Sequence, residues 1–293
     1  GESRSAREQE ERLERLLGEA VRLHLVSDVP FGAFLSGGLD SSLVVALMSR
    51  QLGEPVRTYS VGFERAQGHA DELPYARLVA RAFGTEHREV VMGPEEFIGE
   101  AERVVWHLDQ PIADQATVAT WALSRLAAQE VKMVLTGEGG DELFAGYARH
   151  SAVRLSPLFR ALPRAVKGLA WNAGDALASR RARLALYALL QEEESARLAA
   201  WFPLFNDSSA ARVLAPGLRE AALPEDARRL FGEHLAQVAS PRPLDRMLYV
   251  DSKLWLPDLL LLRGDKLTMA NSLEARVPLL DHQLAQFAAG LPP

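Results

Sequence analysis

The stretch Phe31-Gly32-Ala33-Phe34-Leu35-Ser36-Gly37-Gly38-Leu39-Asp40-Ser41-Ser42, continued by Leu43-Val44-Val45-Ala46-Leu47-Met48, decides the fold. An apolar run, a turn of small residues and a second apolar run at helical spacing predict a strand, a tight turn and a helix. Glycines let a backbone approach a ligand closely. The N–H groups that open a helix have no partner inside it, so such a turn is an anion site. The hydroxyls of Ser36, Ser41 and Ser42 add donors. Asp40 suits a phosphate site only with a divalent cation between the charges.

The two commoner phosphate loops do not match. One requires a Gly-Lys-Ser/Thr ending, and the turn has no Lys; the other requires three spaced glycines, and Gly37-Gly38 is an adjacent pair with no third Gly following. The plain alternative is a Gly-rich strand–helix turn that holds nothing.

Outward from this turn, strands and helices alternate. Leu13, Leu16, Leu17, Ala20, Val21 and His24 fall on one helical face. Strand-like runs are Phe31–Leu35, Val56–Val61, Glu89–Met92 and Val131–Leu135. Helical patterns lie at Ser42–Leu52, Leu73–Phe83, Pro94–His107 and Thr117–Gln129, with Gly53 and Gly84 just past two ends and Pro94 at a first turn. Strict alternation predicts an α/β fold, a parallel sheet with helices on both faces. From about Ala148 to Arg246 strand signals vanish and Ala, Leu and Arg dominate, which predicts a mainly helical second half.

Composition narrows the function. The 293 residues are 48% hydrophobic and 25% charged, ordinary for a globular chain. A net charge of −6 without a dense basic block disfavours nucleic acid as a partner. No apolar run approaches the roughly 18 residues that span a membrane. The charged start, Gly1 to Glu14, is no signal peptide. Cysteine is absent, which excludes disulfides, thiolate–zinc sites and a Cys nucleophile, and fits the cytoplasm. The histidines are scattered, so neither a zinc site nor a His-centred triad is expected. The last residues, Leu291-Pro292-Pro293, follow an apolar helical pattern directly and read as a truncated end.

Ligands in open parallel sheets bind at the carboxyl ends of strands. Ser36–Ser42 follows the first strand, and Ser60-Val61-Gly62-Phe63 ends the second. Thr136-Gly137-Glu138-Gly139-Gly140-Asp141-Glu142 follows the strand Val131–Leu135. Carboxylates this close repel unless a cation or donor compensates. Asp40 and Asp141 would then clamp Mg²⁺ between phosphates; an exposed acidic turn that caps a helix is the bland alternative. Farther along lies Arg263-Gly264-Asp265-Lys266, then Glu274-Ala275-Arg276-Val277-Pro278-Leu279-Leu280-Asp281. Lys266 either reaches the phosphates or ends a helix in solvent. Arg276 and Asp281 serve equally well as a structural ion pair. Asp109-Gln110-Pro111-Ile112-Ala113-Asp114-Gln115 reads as a pocket wall or as a capped loop.

Together these stretches resemble the synthetase domain of glutamine-dependent asparagine synthetases, within the ATP pyrophosphatase (PP-loop) superfamily. The motifs are AFLSGGLDSS (33–42), TYSVGFE (58–64), DELPYARLVA (71–80), DQPIADQ (109–115), LTGEGGDELFAGY (135–147) and RGDKLTMANSLEARVPLLDH (263–282). The resemblance runs from about Leu13 to the end. It implies a PP-loop nucleotide-binding core at 21–147, a helical region at 148–245 and a returning segment at 246–293. It implies that Leu35, Val61, Thr136 and Gly137 contact the nucleotide of ATP, and that Ser36, Gly37, Gly38, Asp40, Ser41 and Ser42 hold the pyrophosphate. Asp40 and Asp141 would carry Mg²⁺, Glu138 would serve acyl-adenylate formation, and Lys266 would stabilise the departing charge. Asp114, Glu142, Arg276 and Asp281 would bind substrate or support the site. The implied reaction converts aspartate to asparagine through a β-aspartyl adenylate, with ammonia as nucleophile and AMP and pyrophosphate as products.

Two departures from the family bear on substrate and nitrogen source. The family's glutaminase domain begins with a Cys nucleophile; the chain has no Cys and starts just before the synthetase domain. Ammonia is therefore expected from solution, or from a glutaminase domain or subunit of a parent protein. A homodimer is compatible with the resemblance. After Asp114 the loop reads Gln115-Ala116-Thr117-Val118-Ala119, where the family commonly has Pro, Ser and a second Pro. A relative that adenylates another carboxylate, such as a β-lactam-forming synthetase, is thus the alternative.

Overall fold

The computed structural model describes residues 5–64, 72–112, 114, 116–174, 179–202, 212–215, 217–218 and 224–291. Asp71, Ala113 and Gln115 of the motifs above lie outside them. The chain divides into two compact units, one of residues 1–144 with 256–292 and one of residues 145–255.

The first unit is built on five strands: β1 (Phe31–Phe34), β2 (Arg57–Phe63), β3 (Glu86–Met92), β4 (Met133–Leu135) and β5 (Glu274–Arg276). Their order is β3-β2-β1-β4-β5 and every pairing is parallel. Helix α1 (Ala6–His24) precedes the sheet, α2 (Leu39–Gln51) and α3 (Leu73–Phe83) separate the first three strands, and α4 (Pro94–Leu108) and α5 (Ala116–Ala127) lead to β4. A short α6 (Gly140–Phe144) follows β4.

Local sequence chemistry sets the ends of these helices. Ser5 and Glu8 cap α1 reciprocally, each accepting from the other's backbone N–H. Gly84 ends α3 in the left-handed region at φ 63°, where a side chain is disfavoured. Pro94 sits in the first turn of α4 beside Glu95 and Glu96, whose charges favour a helix N-terminus.

The period-2 alternation of strands covers both sheet faces. Ala33 of β1 and Met133 and Leu135 of β4 face one way, packing with Val21, Val44, Val45, Met48, Ala76 and Leu284. Phe34, Tyr59 and Val134 face the other way, toward Leu123 and Ala127 of α5. Val104 and Leu108 of α4, and Val118 and Trp121 of α5, bury Met92 at the end of β3. Burying a side chain the size of Val45 or Met48 stabilises the fold by roughly 1.5–3 kcal/mol.

Strand β5 lies where a motif rather than a strand is expected from sequence. Its ladder on β4 continues at both ends: Glu274 N donates to Lys132 O and Thr136 N to Arg276 O, each at 2.9 Å. The returning chain enters through a wide, π-type helical segment, Asp251–Leu261, with Pro257 inside. After the seven described helices of the second unit, this segment leads into α14 (Leu262–Met269), and α15 (His282–Ala289) closes the described chain.

The second unit is helical: α7 (Ala148–Val153), α8 (Ser156–Ala161), α9 (Arg164–Gly174), α10 (Arg180–Leu190), α11 (Glu194–Ala199), α12 (Pro224–Leu235) and α13 (Pro243–Val250). Val153, Leu189, Leu198, Trp201, Leu244 and Met247 form its core. Inside it, Asp251 is 1% exposed and its Oδ2 accepts from Arg149 Nη2 at 3.0 Å and from His150 Nε2 at 2.8 Å. The Arg149 guanidinium also lies over the rings of Tyr147, Phe202 and Trp255, at 4.0, 5.0 and 5.0 Å. Among the described residues no helix is long and apolar enough to cross a membrane.

Candidate active site

The strand order reverses at β1, with β2 and β3 on one side and β4 and β5 on the other. The loops leaving β1 and β4 therefore start side by side, and such a switch point is where parallel sheets bind ligands. Pairing of Ala33 with Leu135 puts the two loops in register.

Both loops are made of residues that permit backbone contact. Gly37 has φ +81°, and a Cβ there would come within 2.4 Å of Ala76 N. Gly38 is the N-cap of α2. A Cβ on Gly137 would fall 2.6 Å from Ser41 N, and one on Gly140 would fall 2.5 Å from Asp40 Cγ. The acidic loop thus lies directly against the start of α2. The serines hold the first loop's shape: Ser36 N donates to Ser41 Oγ at 3.2 Å, and Gly38 N donates to Ser36 Oγ at 3.2 Å. The hydroxyls of Ser42 and Thr136 are buried without a hydrogen-bond partner among the described residues.

Three carboxylates crowd this junction. Burial, then the charges of Asp141 and Glu142, push the Asp40 carboxyl above its ordinary value. Among the described residues neither the Asp40 nor the Asp141 carboxylate makes a hydrogen bond or ion pair. Mg²⁺ is held by one or two carboxylates together with phosphate oxygens and water, not by a cage of side chains. Asp40 and Asp141 fit that donor set. Among the described residues no group of three or more ligating side chains forms a complete metal cage.

Helix α14 supplies the cations. Arg263, 10% exposed in its side chain, donates through Nη2 to Glu138 Oε1 at 2.8 Å and through Nη1 to Asp114 Oδ2. Burial alone would lower the guanidinium's pKa, but Glu138 and Asp114 outweigh it and hold the charge. Burial pushes the Glu138 carboxyl up; Arg263 opposes that only in part, and Glu142 and Asp114 add to the rise. One helical turn on, Lys266 Nζ pairs with Asp109 Oδ2 at 2.5 Å. Asp109, at φ 60°, holds its loop in the left-handed region.

The candidates chosen from sequence therefore sort into groups. Ser36, Gly37, Gly38, Asp40, Ser41, Ser42, Thr136, Gly137, Asp141 and the buried Glu142 converge where the two loops meet. Glu138 and Asp114 are joined by Arg263, a residue to which the motifs alone give no role. Its signal was its place three residues before Lys266, which puts both cations on one helix face. Leu35 is a core residue, 1% exposed, with its N–H bonded to Tyr59 O and its C=O to Ser60 Oγ, so its side chain has no free surface for a base. Val61 packs at the edge of the cluster around Met92.

Arg276 and Asp281 do not pair with each other. Arg276 Nη1 donates to His24 O at 2.9 Å and to Val26 O at 2.7 Å, and its Nε donates to Glu274. Asp281 caps α15 by accepting from Gln283 N and Leu284 N. Both have structural duties.

Residues 12–293 match the sequence pattern of the family described as Asparagine synthase. The chain belongs to the asparagine synthase family. That family is one of ATP-dependent amide synthesis. The chain is similar to asparagine synthetase [glutamine-hydrolyzing] 1 of Bacillus subtilis (strain 168), with 33% identity over 94% of the chain and 42% of that protein. It is 36% identical to a putative asparagine synthetase [glutamine-hydrolyzing] of Mycobacterium bovis, over 94% of the chain and 41% of that protein. The chain thus spans about two fifths of the length of these asparagine synthase relatives. Among solved structures, NMN synthetase from Francisella tularensis is similar at a TM-score of 0.36 and 15% identity, covering 86% of this chain and 94% of that one. A likeness that distant has no weight on function.

Proposed function

We propose that this chain is the synthetase part of an enzyme that makes asparagine from aspartate, ATP and ammonia, through a β-aspartyl adenylate, releasing AMP and pyrophosphate. The observation that carries the reading is the contact of the acidic loop with the start of α2, through Gly137 on Ser41 and Gly140 on Asp40. Family membership supports it, and so do the buried, unpaired hydroxyls of Ser42 and Thr136. Glutamine hydrolysis appears in the names of the relatives and is the proposed ammonia source in a parent protein.

The chemistry follows from charge. A carboxylate resists attack because oxide is a poor leaving group. Moving AMP onto it supplies a good one, and ammonia then displaces AMP. Backbone N–H groups at the start of α2, with Ser36, Ser41 and Ser42, receive the pyrophosphate. Mg²⁺, held by Asp40 and Asp141, offsets phosphate charge when bound. Lys266 leaves Asp109 for the departing pyrophosphate and stabilises it as charge develops. Glu138 stands beside the reacting carboxyl, anchored by Arg263. Arg276 and Asp281 keep to the structural contacts described above.

Calorimetry with ATP and Mg²⁺, paired with a pyrophosphate-release assay on aspartate and ammonium, tests this. Wild type should bind ATP and release pyrophosphate, and Asp40→Ala should lose both. Equal ATP binding in Asp40→Ala sinks the site. Pyrophosphate release with another carboxylate but not aspartate replaces asparagine synthesis with a related amidotransferase or β-lactam-forming reaction.

A further inference from the structure

Asp114 is committed on both oxygens. Its Oδ1 accepts the Ala116 N–H at 3.0 Å at the start of α5, and its Oδ2 accepts Nη1 of Arg263. Its carbonyl oxygen receives the N–H and the hydroxyl of Thr117, at 3.2 and 2.9 Å. The residue is thus fixed by α5, with each carboxylate oxygen already accepting one bond. What it holds is Arg263.

Arg263 has few other restraints. Its Nε is buried with no hydrogen-bond partner among the described residues, so the fork rests on Nη1 to Asp114 and Nη2 to Glu138. Oε1 of Glu138 accepts from Arg263, and Oε2 lies beside Gly264, where the missing Cβ would have fallen at 3.2 Å. Removing Asp114 leaves the guanidinium on a single anchor. It can then rotate about its Nε–Cζ bond and no longer fixes where the Glu138 carboxylate points, because the planar fork is held only while both arms are engaged.

We propose that Asp114 is a positioning residue, not a substrate ligand: by taking one arm of Arg263 it fixes where the Glu138 carboxylate points and leaves one oxygen of it available. This rests on the role given to Glu138 above. It also accounts for an acidic side chain so near a site whose substrates are anionic, since the charge of Asp114 is already spent on Arg263.

The test uses Asp114→Asn, which keeps an oxygen for Ala116 N–H, and Asp114→Glu, which keeps the charge. Nitrogen-15 NMR of the guanidinium groups, with Arg263→Lys to assign the signals, should show separate Nη1 and Nη2 resonances for Arg263 in wild type. In Asp114→Asn they should merge through free rotation, and Asp114→Glu should restore the separation in part. In pyrophosphate release with aspartate and ATP, Asp114→Asn should lower kcat by about 10- to 100-fold, with KM for ATP and aspartate unchanged. Separate Nη signals in Asp114→Asn overturn the proposal, as does a rise in KM for aspartate at constant kcat. A wild type that releases no pyrophosphate from aspartate and ATP counts against the proposed function alone, and the NMR comparison then decides the role of Asp114. If Asp114→Asn fails to fold, the same two measurements on Asp114→Glu decide: rotation and kcat moving together uphold it, and slow rotation with kcat lost, or free rotation with kcat kept, overturns it.

Discussion

A methyl group on Gly140 would sit 2.5 Å from Cγ of Asp40, closer than a side chain can approach another atom without displacing it. The absence of a side chain at one position of the acidic loop therefore sets the location of a carboxylate in the first loop. Gly140→Ala should push Asp40 aside and lower pyrophosphate release by about 10²-fold while the fold survives. Gly99→Ala is the control, because a Cβ there meets nothing within 4 Å inside α4. It should keep full activity and stabilise the protein by about 0.5–1 kcal/mol. Equal activity in the two variants would show that Asp40 tolerates displacement.

Lys266 rests on Asp109 at a partly exposed position, and exposed pairs contribute little to stability. Lys266→Met should leave the melting temperature essentially unmoved. If Lys266 meets the departing pyrophosphate, turnover should fall by about 10²-fold or more. A parallel loss of stability and activity would reassign Lys266 to holding the 109–114 loop.

Glu89 of β3 takes two hydrogen bonds from Arg77 of α3, at 2.8 and 2.6 Å, and the pairing holds its carboxyl below the usual 4.5. A depressed carboxyl stabilises the fold above its unfolded value and loses that contribution as pH falls through the folded value. Glu89→Gln should cost about 1 kcal/mol at pH 7, a modest figure because Arg77 is half exposed. The gap to wild type should close as pH falls below 4.5 in urea melts. A gap that stays constant with pH would mean that shape, not charge, matters there.

Asp251 is the sole anionic partner that the described contacts give to both Arg149 and His150 in the second unit. Asp251→Asn removes the charge and leaves the buried guanidinium with a neutral amide oxygen at best and three aromatic faces. Denaturant unfolding should show a loss of about 3 kcal/mol. A loss under about 1 kcal/mol would mean that the three rings around Arg149 are enough to hold it.

Strands β1, β2 and β4 were legible as largely apolar runs bounded by turn residues, whereas β3 showed only in Glu89–Met92 and its polar start, Glu86-His87-Arg88, is extended because it pairs with β2. Strand β5 was not legible. Glu274-Ala275-Arg276 has no apolar alternation, and it is extended because β4 offers it a free edge. The same limit hid the bond from Arg263 to Asp114 and Glu138, residues 149 and 125 positions away in sequence. Lys266 was read as a phosphate cation from its motif, whereas its partner, Asp109, belongs to a loop whose path no local pattern specifies. The π-type turn at Asp251–Leu261 also escaped, because Pro257 reads as a break and the chain instead widens around it.

The late strand has a consequence for how the protein is made. Val134 and its neighbours in β4 leave the ribosome about 140 residues before Glu274 and Arg276. At roughly 5–20 residues per second, that edge stays unpaired for on the order of ten seconds. Throughout that interval the nascent sheet offers a row of free backbone groups to any other growing chain. Strand β5 is thus what covers the edge that β4 leaves open, and a ribosome stalled within the helical unit would release a product with an adhesive edge.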